Sequence, residues 1–500
     1  MTIYNFNLGI GWASSGVEYA QAYRSNIFKK NKQNAKFVFT DFFHENLEPM
    51  TKNLGFEDKE IIWLYQYFTD IKISSTQFTL DKLESEFPKN PTSIEKSDTY
   101  VSYTWASKRV TAFFDKSVSE KVIYKTEIVI NEKLVQRDYY NYVKVFSEYY
   151  KPVKNQANLY QRRFFNENGS IAYDELINGE QSLYIFKDRT IYSKENLIIY
   201  FMECLKLTQK DIVIIDRSTG IGPEIIRAKG DAKVGVVIHA EHYNEPLTTD
   251  KNILWNNYYD YQFENAQSID FFVTATEIQK ATLERQFIKY NKGLIKVYAI
   301  PVGSIDSLRM NNKRNSNTLI TASRLASEKH LDWLIYATVK AREKITDLTL
   351  DIYGKGGEEQ NLRNLIEELG AENYINLRGQ HNLLNVYRDY TTYVSTSTSE
   401  GFGLTLMEAV GSGLGMIGFD VKYGNQTFIH PEKNGILVPY FKNQNKKNIL
   451  AISEAIIAHQ TQSEEKLENV KNNSYTIAQT FLTTSIQKKW LNLELEITND

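Results

Sequence analysis

The sequence predicts an α/β protein of two Rossmann-like lobes facing a cleft, with a β-rich insertion in the N-terminal lobe. Three observations carry that expectation. An apolar strand opens the chain and runs into a glycine-rich loop and a helix pattern. Continuous apolar strands alternate with helical stretches through the second half. Between these regions lies a long segment with the period-two, aromatic and β-branched texture of antiparallel sheet. Length agrees, because 500 residues exceed what one hydrophobic core holds and imply about three compact units.

Taken in order, Ile3–Leu8 reads as the first strand. It is followed by Gly9-Ile10-Gly11-Trp12-Ala13-Ser14-Ser15-Gly16, a helix through Val17, Tyr19, Ala20 and Tyr23, and a second strand at Lys36–Thr40. From Lys72 to Tyr192 the texture is antiparallel: Val101–Trp105, Lys121–Ile130 and Ser182–Phe186 read as strands, and Arg163–Tyr173 as a hairpin turning at Asn168-Gly169. Asp211–Asp216, Val234–Ala240 and Phe271–Thr274 are continuous apolar strands, the mark of a sheet covered on both faces. Ala299-Ile300-Pro301-Val302-Gly303 reads as a crossover. Beyond it come strands at Thr318–Ala322, Leu348–Tyr353, Tyr374–Leu377, Tyr393–Ser395 and Met416–Gly418, and a closing helical segment over Tyr475–Leu491. The expected organisation is 1–71 and 193–300 as the two parts of the N-terminal lobe and 72–192 as the insertion. The C-terminal lobe is expected over 301–474 and a helical segment over 475–500. Two such lobes predict a cleft with ligands at the C-terminal ends of strands.

Composition narrows the function classes. With 42% hydrophobic and 24% charged residues, disorder and low-complexity scaffolds are excluded. Lys+Arg 59 against Asp+Glu 61 leaves a formal charge of −2, so no bulk positive field holds nucleic acid. Cys204 is the single cysteine, which rules out an intramolecular disulfide and a cysteine-based zinc cluster. No secretory signal is read at Met1–Asn7, and apolar runs such as Val234–Ala240 are strand-sized. The expectation is a cytoplasmic chain, with membrane contact at most peripheral at the inner face.

The most informative stretch is Ser399-Glu400-Gly401-Phe402-Gly403-Leu404-Thr405-Leu406-Met407-Glu408-Ala409, leading from a strand into a helix. Gly401 and Gly403 let backbone approach a ligand, and the N–H groups of Phe402, Gly403, Leu404 and Thr405 suit an anion at a helix N-terminus. A glycine turn before a helix is by itself an ordinary connection. The flanking carboxylates add chemistry: Glu400 and Glu408 are separated by roughly 12 Å at ~1.5 Å per residue. A retaining glycosidase pair needs ~5–5.5 Å, so these two suit opposite ends of one elongated polar ligand, a nucleotide-sugar geometry. Upstream, Arg324 and Lys329 leave one strand-to-helix loop. Either alone reads as a solvated charge, whereas both together at a strand end favour a diphosphate clamp.

His239-Ala240-Glu241-His242 follows the strand Val234–Ile238. Its spacing and missing third ligand speak against zinc. His239 reads as a core histidine and His242 as a cleft imidazole donating to a sugar or acceptor. The sequence contains no Asp-x-Asp, so the usual metal clamp of a nucleotide diphosphate is missing, and no metal ligand or cofactor is expected.

These motifs resemble those of the retaining glycosyltransferases of family 4, which have the two-lobed GT-B fold. Glu400 through Glu408 matches the family's E-x7-E signature, Arg324 with Lys329 its phosphate-binding pair, and Asp351–Gly356 and Leu377–Gln380 its further second-lobe loops. More narrowly, Tyr4–Ala20 and the β-rich insertion are similar to the bacterial glycosyltransferase A enzymes that begin O-glycosylation of serine-rich repeat adhesins. The resemblance implies transfer of N-acetylglucosamine from UDP-GlcNAc to Ser/Thr hydroxyls, without metal, in a complex with a homologous inactive glycosyltransferase B subunit. It implies Glu400 on donor-sugar hydroxyls and Glu408 on ribose, with Arg324 and Lys329 on the leaving diphosphate. Gly16 would meet the donor phosphates, Gly379, Gln380, His381 and Asn382 would meet uracil through backbone groups, and Gly354 would line that side. The chain departs from the family at Ser15-Gly16 (often Gly-Gly), at His330 (often Gly) and at Gly413-Leu414-Gly415, which lacks a usual proline.

Two other readings compete. One is a transferase acting on a lipid-linked sugar or wall polymer. The other is a non-catalytic chaperone or substrate-binding subunit of a glycosyltransferase complex, which would be expected to have lost the charged residues kept here at Arg324, Lys329, Glu400 and Glu408.

Overall fold

The computed structural model describes residues 1–11, 16–87, 90–115, 121–311 and 313–499. They form two compact units: Met1–Ser25 with Lys32–Val237 and Asn257–Asp270, and Asn26–Asn31 with Ile238–Asn256 and Phe271–Asp500.

The first unit holds five parallel strands in the order Lys233–Ile238, Ile212–Ile215, Ile3–Asn7, Ala35–Phe39 and Ile61–Trp63. Ile212–Ile215 is buried at every position, as a strand covered on both faces must be. The helix Gly16–Lys30 is pinned against strand ends by a buried ionic network. Within it, Arg24 Nη2 lies 2.5 Å from Asp216 Oδ1, Gln21 donates to Asp216 at 2.8 Å, and Asn7 donates to Gln21 at 3.0 Å.

Ten antiparallel strands from Ser93–Lys96 to Thr190–Ile191 form the insertion sheet, each strand paired with its neighbours in sequence. The predicted hairpin is present between Gln156–Phe165 and Ile171–Asn178, with Gly169 at φ +80° in its turn. Alternation aims aromatics to one face, where Phe164 stacks on Tyr173 and Tyr139 on Phe146, both with centroids 4.4 Å apart. On the same face, one cross-strand row along, lies a largely buried ionic cluster. Arg162 donates to Glu148 and Glu175, each at 3.0 Å, and its guanidinium lies 3.7 Å from the Phe42 ring centroid.

In the second unit Phe271–Thr274 pairs in parallel with Val297–Ala299. The run read as a crossover therefore begins one residue later, at Ile300, because Val297 and Ala299 are buried sheet positions. A six-stranded parallel sheet follows in the order Ile375–Gly379, Thr349–Tyr353, Thr318–Ala322, Thr392–Ser395, Gly415–Phe419 and Gly435–Val438. Numbered along the chain this is 3-2-1-4-5-6, and its order reverses between Thr318–Ala322 and Thr392–Ser395. The closing segment is two helices, Glu464–Ala478 and Thr483–Asn499, rather than one, separated by a short turn at Gln479–Phe481 whose Phe481 is buried against Phe402 and Phe428. The expected class, two Rossmann-like sheets with an antiparallel insertion, is the class observed.

Candidate active site

In the second unit, the reversal of strand order gathers the predicted residues. Arg324 and Lys329 follow Thr318–Ala322, and Glu400 follows the adjacent strand Thr392–Ser395. Lys329 Nζ donates to Glu400 Oε2 at 2.8 Å, with side chains 14% and 24% exposed. The Thr396 hydroxyl adds a bond to the Lys329 carbonyl at 2.9 Å, tying the two loops together. Arg324 leaves the same loop but is exposed, 3.1 Å from Glu328.

Behind Glu400 the chain turns through Gly403, at φ +86°, into the helix Leu404–Gly411. A Cβ on Gly401 would lie 3.1 Å from the His239 carbonyl oxygen, so the histidine loop and the glycine turn touch. The Phe402 ring is buried against Phe428 and Phe481, and the Thr405 hydroxyl lies 2.9 Å from that of Tyr393. A Cβ on Gly303 would lie 2.3 Å from Leu404 Cδ2, so that side chain is packed as well. The side chains of these three residues are thus engaged with the protein itself. Glu408 lies one helical turn beyond Leu404 and Thr405. Burial pushes its carboxyl up to about 7, against the opposing pull of the Tyr387 hydroxyl and the Arg309 guanidinium.

Gly354, at φ +137°, could not carry a side chain, since its Cβ would fall 1.8 Å from the Ser323 carbonyl. Its N–H donates to the Gly379 carbonyl at 2.9 Å, and Ser323 and Leu325 donate to the carbonyls of Tyr353 and Lys355. The Gly354 loop therefore lies between the Gly379 loop and the Arg324 loop. Gln380, His381 and Asn382 are exposed there; His381 Nε2 is 2.7 Å from the Arg378 carbonyl, and the Leu384 N–H donates to Asn382 Oδ1. Gly16 opens the helix of the first unit, with open space where a Cβ would stand. Ser15 lies outside the described residues.

One expectation needs correcting. His242 is not presented as an open imidazole. It is 0% exposed, with Nε2 2.8 Å from Gln286 Oε1 and Nδ1 3.3 Å from the Tyr423 hydroxyl. Burial holds its ring down at about 4. The family departure at His330 also has a physical reading. This residue sits at φ +46°, the left-handed region that favours glycine, and its ring stacks on Trp333 with centroids 3.8 Å apart.

Sequence reasoning missed Lys422, Tyr423, Tyr243 and Glu245, which flank Glu400 and His242. Lys422 Nζ donates to Glu245 at 2.8 Å and to the Tyr243 hydroxyl at 2.9 Å. They come from loops distant in sequence with no motif spacing, so only the parallel pairing of Glu400 with Tyr423 reveals them. Among the described residues no three His, Cys, Asp or Glu side chains form a metal-holding group, and no helix is long and apolar enough to cross a membrane.

Comparison with known proteins agrees with this geometry. Residues 306–476, which include Arg324, Lys329, Glu400 and Glu408, match the model of glycosyl transferases group 1, and residues 93–188 match that of the GtfA extended beta-sheet domain. The chain is 49% identical over 506 residues to the UDP-N-acetylglucosamine–peptide N-acetylglucosaminyltransferase GtfA subunit of Streptococcus gordonii, covering 100% of this chain and 99% of that one. Among solved structures it is similar to a GtfA/B complex chain (TM-score 0.97, 49% identity, 100% of both chains). It is also similar to the pneumococcal O-GlcNAc transferase GtfA in complex with UDP and GlcNAc (TM-score 0.90, 45% identity, 100% of this chain and 99% of that one). A switch-point site with both signature carboxylates and both cations, inside a chain alike from end to end, leaves one conclusion: the chain belongs to the family of GtfA subunits of UDP-N-acetylglucosamine–peptide N-acetylglucosaminyltransferases.

Proposed function

We propose that this enzyme transfers N-acetylglucosamine from UDP-GlcNAc to Ser/Thr hydroxyls of a serine-rich repeat adhesin, with retention at the anomeric carbon, as the first step of its O-glycosylation. The observation that carries this reading is the Lys329–Glu400 pair at the point where strand order reverses, beside the glycine-bounded Arg324 loop. Glu400 accepts hydrogen bonds from donor-sugar hydroxyls and Glu408 from the ribose. Arg324 and Lys329 stabilise the charge that grows on the departing diphosphate, with the backbone at Phe402, Gly403, Leu404 and Thr405 adding N–H groups. Gly16 admits the donor phosphates; Gly354, Gly379, Gln380, His381 and Asn382 border uracil. As the glycosidic bond lengthens, an oxocarbenium-like centre forms. The acceptor hydroxyl attacks from the same face, giving its proton to a leaving phosphate oxygen.

These cations do the work a metal does in other nucleotide-sugar enzymes, so the reaction proceeds without one. The segment 72–192, inserted in an N-terminal lobe of residues 1–71 and 193–300, docks the acceptor polypeptide and a homologous, inactive B subunit, and residues 301–474 hold the nucleotide sugar. The complex works in the cytoplasm, with membrane contact at most peripheral. The test is mass spectrometry of a Ser/Thr-rich acceptor after incubation with UDP-GlcNAc or UDP-glucose, with and without the B subunit and with EDTA. Hexosamine additions that survive EDTA are expected. No addition from any donor in the assembled complex, or addition abolished by EDTA and restored by a divalent cation, would remove the corresponding part of this reading.

A further inference from the structure

The loop after Lys233–Ile238 does more than touch the glycine turn. His242 sits between two elements of the second unit. On one side Gln286 Oε1, which can only accept, lies 2.8 Å from Nε2, so Nε2 carries the proton. Nδ1 is then an acceptor of a hydrogen bond from the Tyr423 hydroxyl at 3.3 Å, the two rings lying nearly parallel at 6.0 Å. Tyr423 is 1% exposed. Its backbone N–H donates to the Glu400 carbonyl at 2.7 Å, the Gly424 N–H donates to the same oxygen at 2.8 Å, and the Glu400 N–H donates to the Lys422 carbonyl at 3.2 Å. A second tether lies seven positions earlier on the helix Glu277–Lys289, where buried Gln279 donates to the Ala240 carbonyl at 2.9 Å. Two glutamines on one helix face thus hold the histidine loop, and the histidine holds the residue that pins Glu400.

We propose that Gln286, His242 and Tyr423 form a positioning relay that keeps His242 as the neutral Nε2–H tautomer and fixes the backbone bearing the Glu400 carboxylate. The inference rests on the reading above that Glu400 engages the donor sugar. It gives His242 a role through Tyr423 in place of direct contact with sugar or acceptor. The charged and titratable groups around the ring fit a neutral imidazole. For His242 burial dominates and Lys422, bonded to Tyr243 and Glu245, opposes a second positive charge; for Tyr423 burial, with Glu241, Tyr243 and Glu245 adding to it, raises the phenol so that it keeps its proton.

The test assays full-length Gln286→Leu, Gln286→Glu, Tyr423→Phe and Glu400→Gln chains for UDP release from UDP-GlcNAc, with folding checked by circular dichroism. In Gln286→Leu and Tyr423→Phe, kcat is expected to fall about tenfold with KM within about twofold, the mark of displaced machinery rather than lost binding. Gln286→Glu still accepts from Nε2–H and is expected to keep most of kcat at pH 8. Its carboxylate favours a protonated ring, so the variant gains an acid limb that the parent lacks. Independently, nitrogen-15 NMR of the parent should show the Nε2–H tautomer with no titration near pH 6.5. Normal kcat in both Gln286→Leu and Tyr423→Phe while Glu400→Gln loses turnover would overturn the relay, as would an Nδ1–H tautomer. Full turnover in Glu400→Gln would instead overturn the donor reading, a separate result.

Discussion

Two carboxylates in different regions are withdrawn from water with opposite consequences. Glu148, in the insertion sheet, is fully buried, and burial alone would raise it. Hydrogen bonds from His44 and Tyr150 and the Arg162 guanidinium outweigh that and hold it at about 2. Glu408, on the helix behind the glycine turn, has no ion pair that close; burial wins and lifts it to about 7. The sheet thus spends its buried charge on architecture. The helix behind the glycine turn keeps a carboxylate in an uncomfortable place, where hydroxyl groups of a ligand would satisfy it. Strained electrostatics of this kind mark a working site better than burial does.

The pH signs separate the two. Glu148 is depressed below the ordinary carboxylate value of 4.5, so its stabilisation is complete above 4.5 and is lost as pH falls toward 2. Glu408 is raised, so the folded state is favoured at low pH and loses that advantage as pH climbs from 4.5 through 7.

The largest expected effect breaks the first half of the comparison. Glu148→Ala leaves Arg162, 13% exposed, with Glu175 alone, and should cost about 3–5 kcal/mol in urea unfolding at pH 7. The loss should shrink below pH 4.5. A cost under about 1 kcal/mol would show that the cluster is solvated and that the contrast with Glu408 is empty.

Next is Arg324→Ala. Its side chain is 78% exposed, so the melting temperature should barely move. In contrast kcat/KM for UDP release should fall about 100-fold or more, ~3 kcal/mol of lost transition-state stabilisation. Near-normal turnover would discard the clamp and leave Lys329 as the only cation at the diphosphate.

Glu408→Gln sharpens the other half. The donor KM should rise about tenfold as one charge-assisted bond to a ribose hydroxyl is lost. The same variant should melt higher than the parent at pH 8 and equally at pH 5, the reverse of Glu148. A lower melting temperature at pH 8 would mean that this carboxylate is stabilised in place.

The same contrast governs what could be read from sequence. Parallel strands such as Ile212–Ile215 and Thr318–Ala322 are legible because burial on both faces demands continuous apolar residues. The E-x7-E stretch is legible because one helix start carries both carboxylates, and Arg324 and Lys329 because one loop carries both cations. Short edge strands such as Ile61–Trp63 leave too few residues for a period to show. Glu148, Arg162 and Glu175 come from three strands and Tyr423 from another loop; their meeting depends on register and loop path, which no local pattern encodes. His242 reads from the sequence as an open imidazole yet is buried, because sequence shows a strand end but not the glutamine opposite it.

The smallest expected effect concerns Glu328, the exposed partner of Arg324, 53% exposed and 3.1 Å away. Exposed pairs four positions apart contribute about 0.3–0.5 kcal/mol, so Glu328→Gln should leave the melting temperature essentially unchanged. Its bearing is on orientation. If Arg324 must be drawn back by Glu328 until a diphosphate displaces that carboxylate, removing the competitor should lower the donor KM up to about twofold. If instead Glu328 aims the guanidinium at the phosphate, kcat/KM should drop by tenfold. The exposure of both side chains favours the first outcome, since water and a doubly charged diphosphate both compete well against a solvated carboxylate.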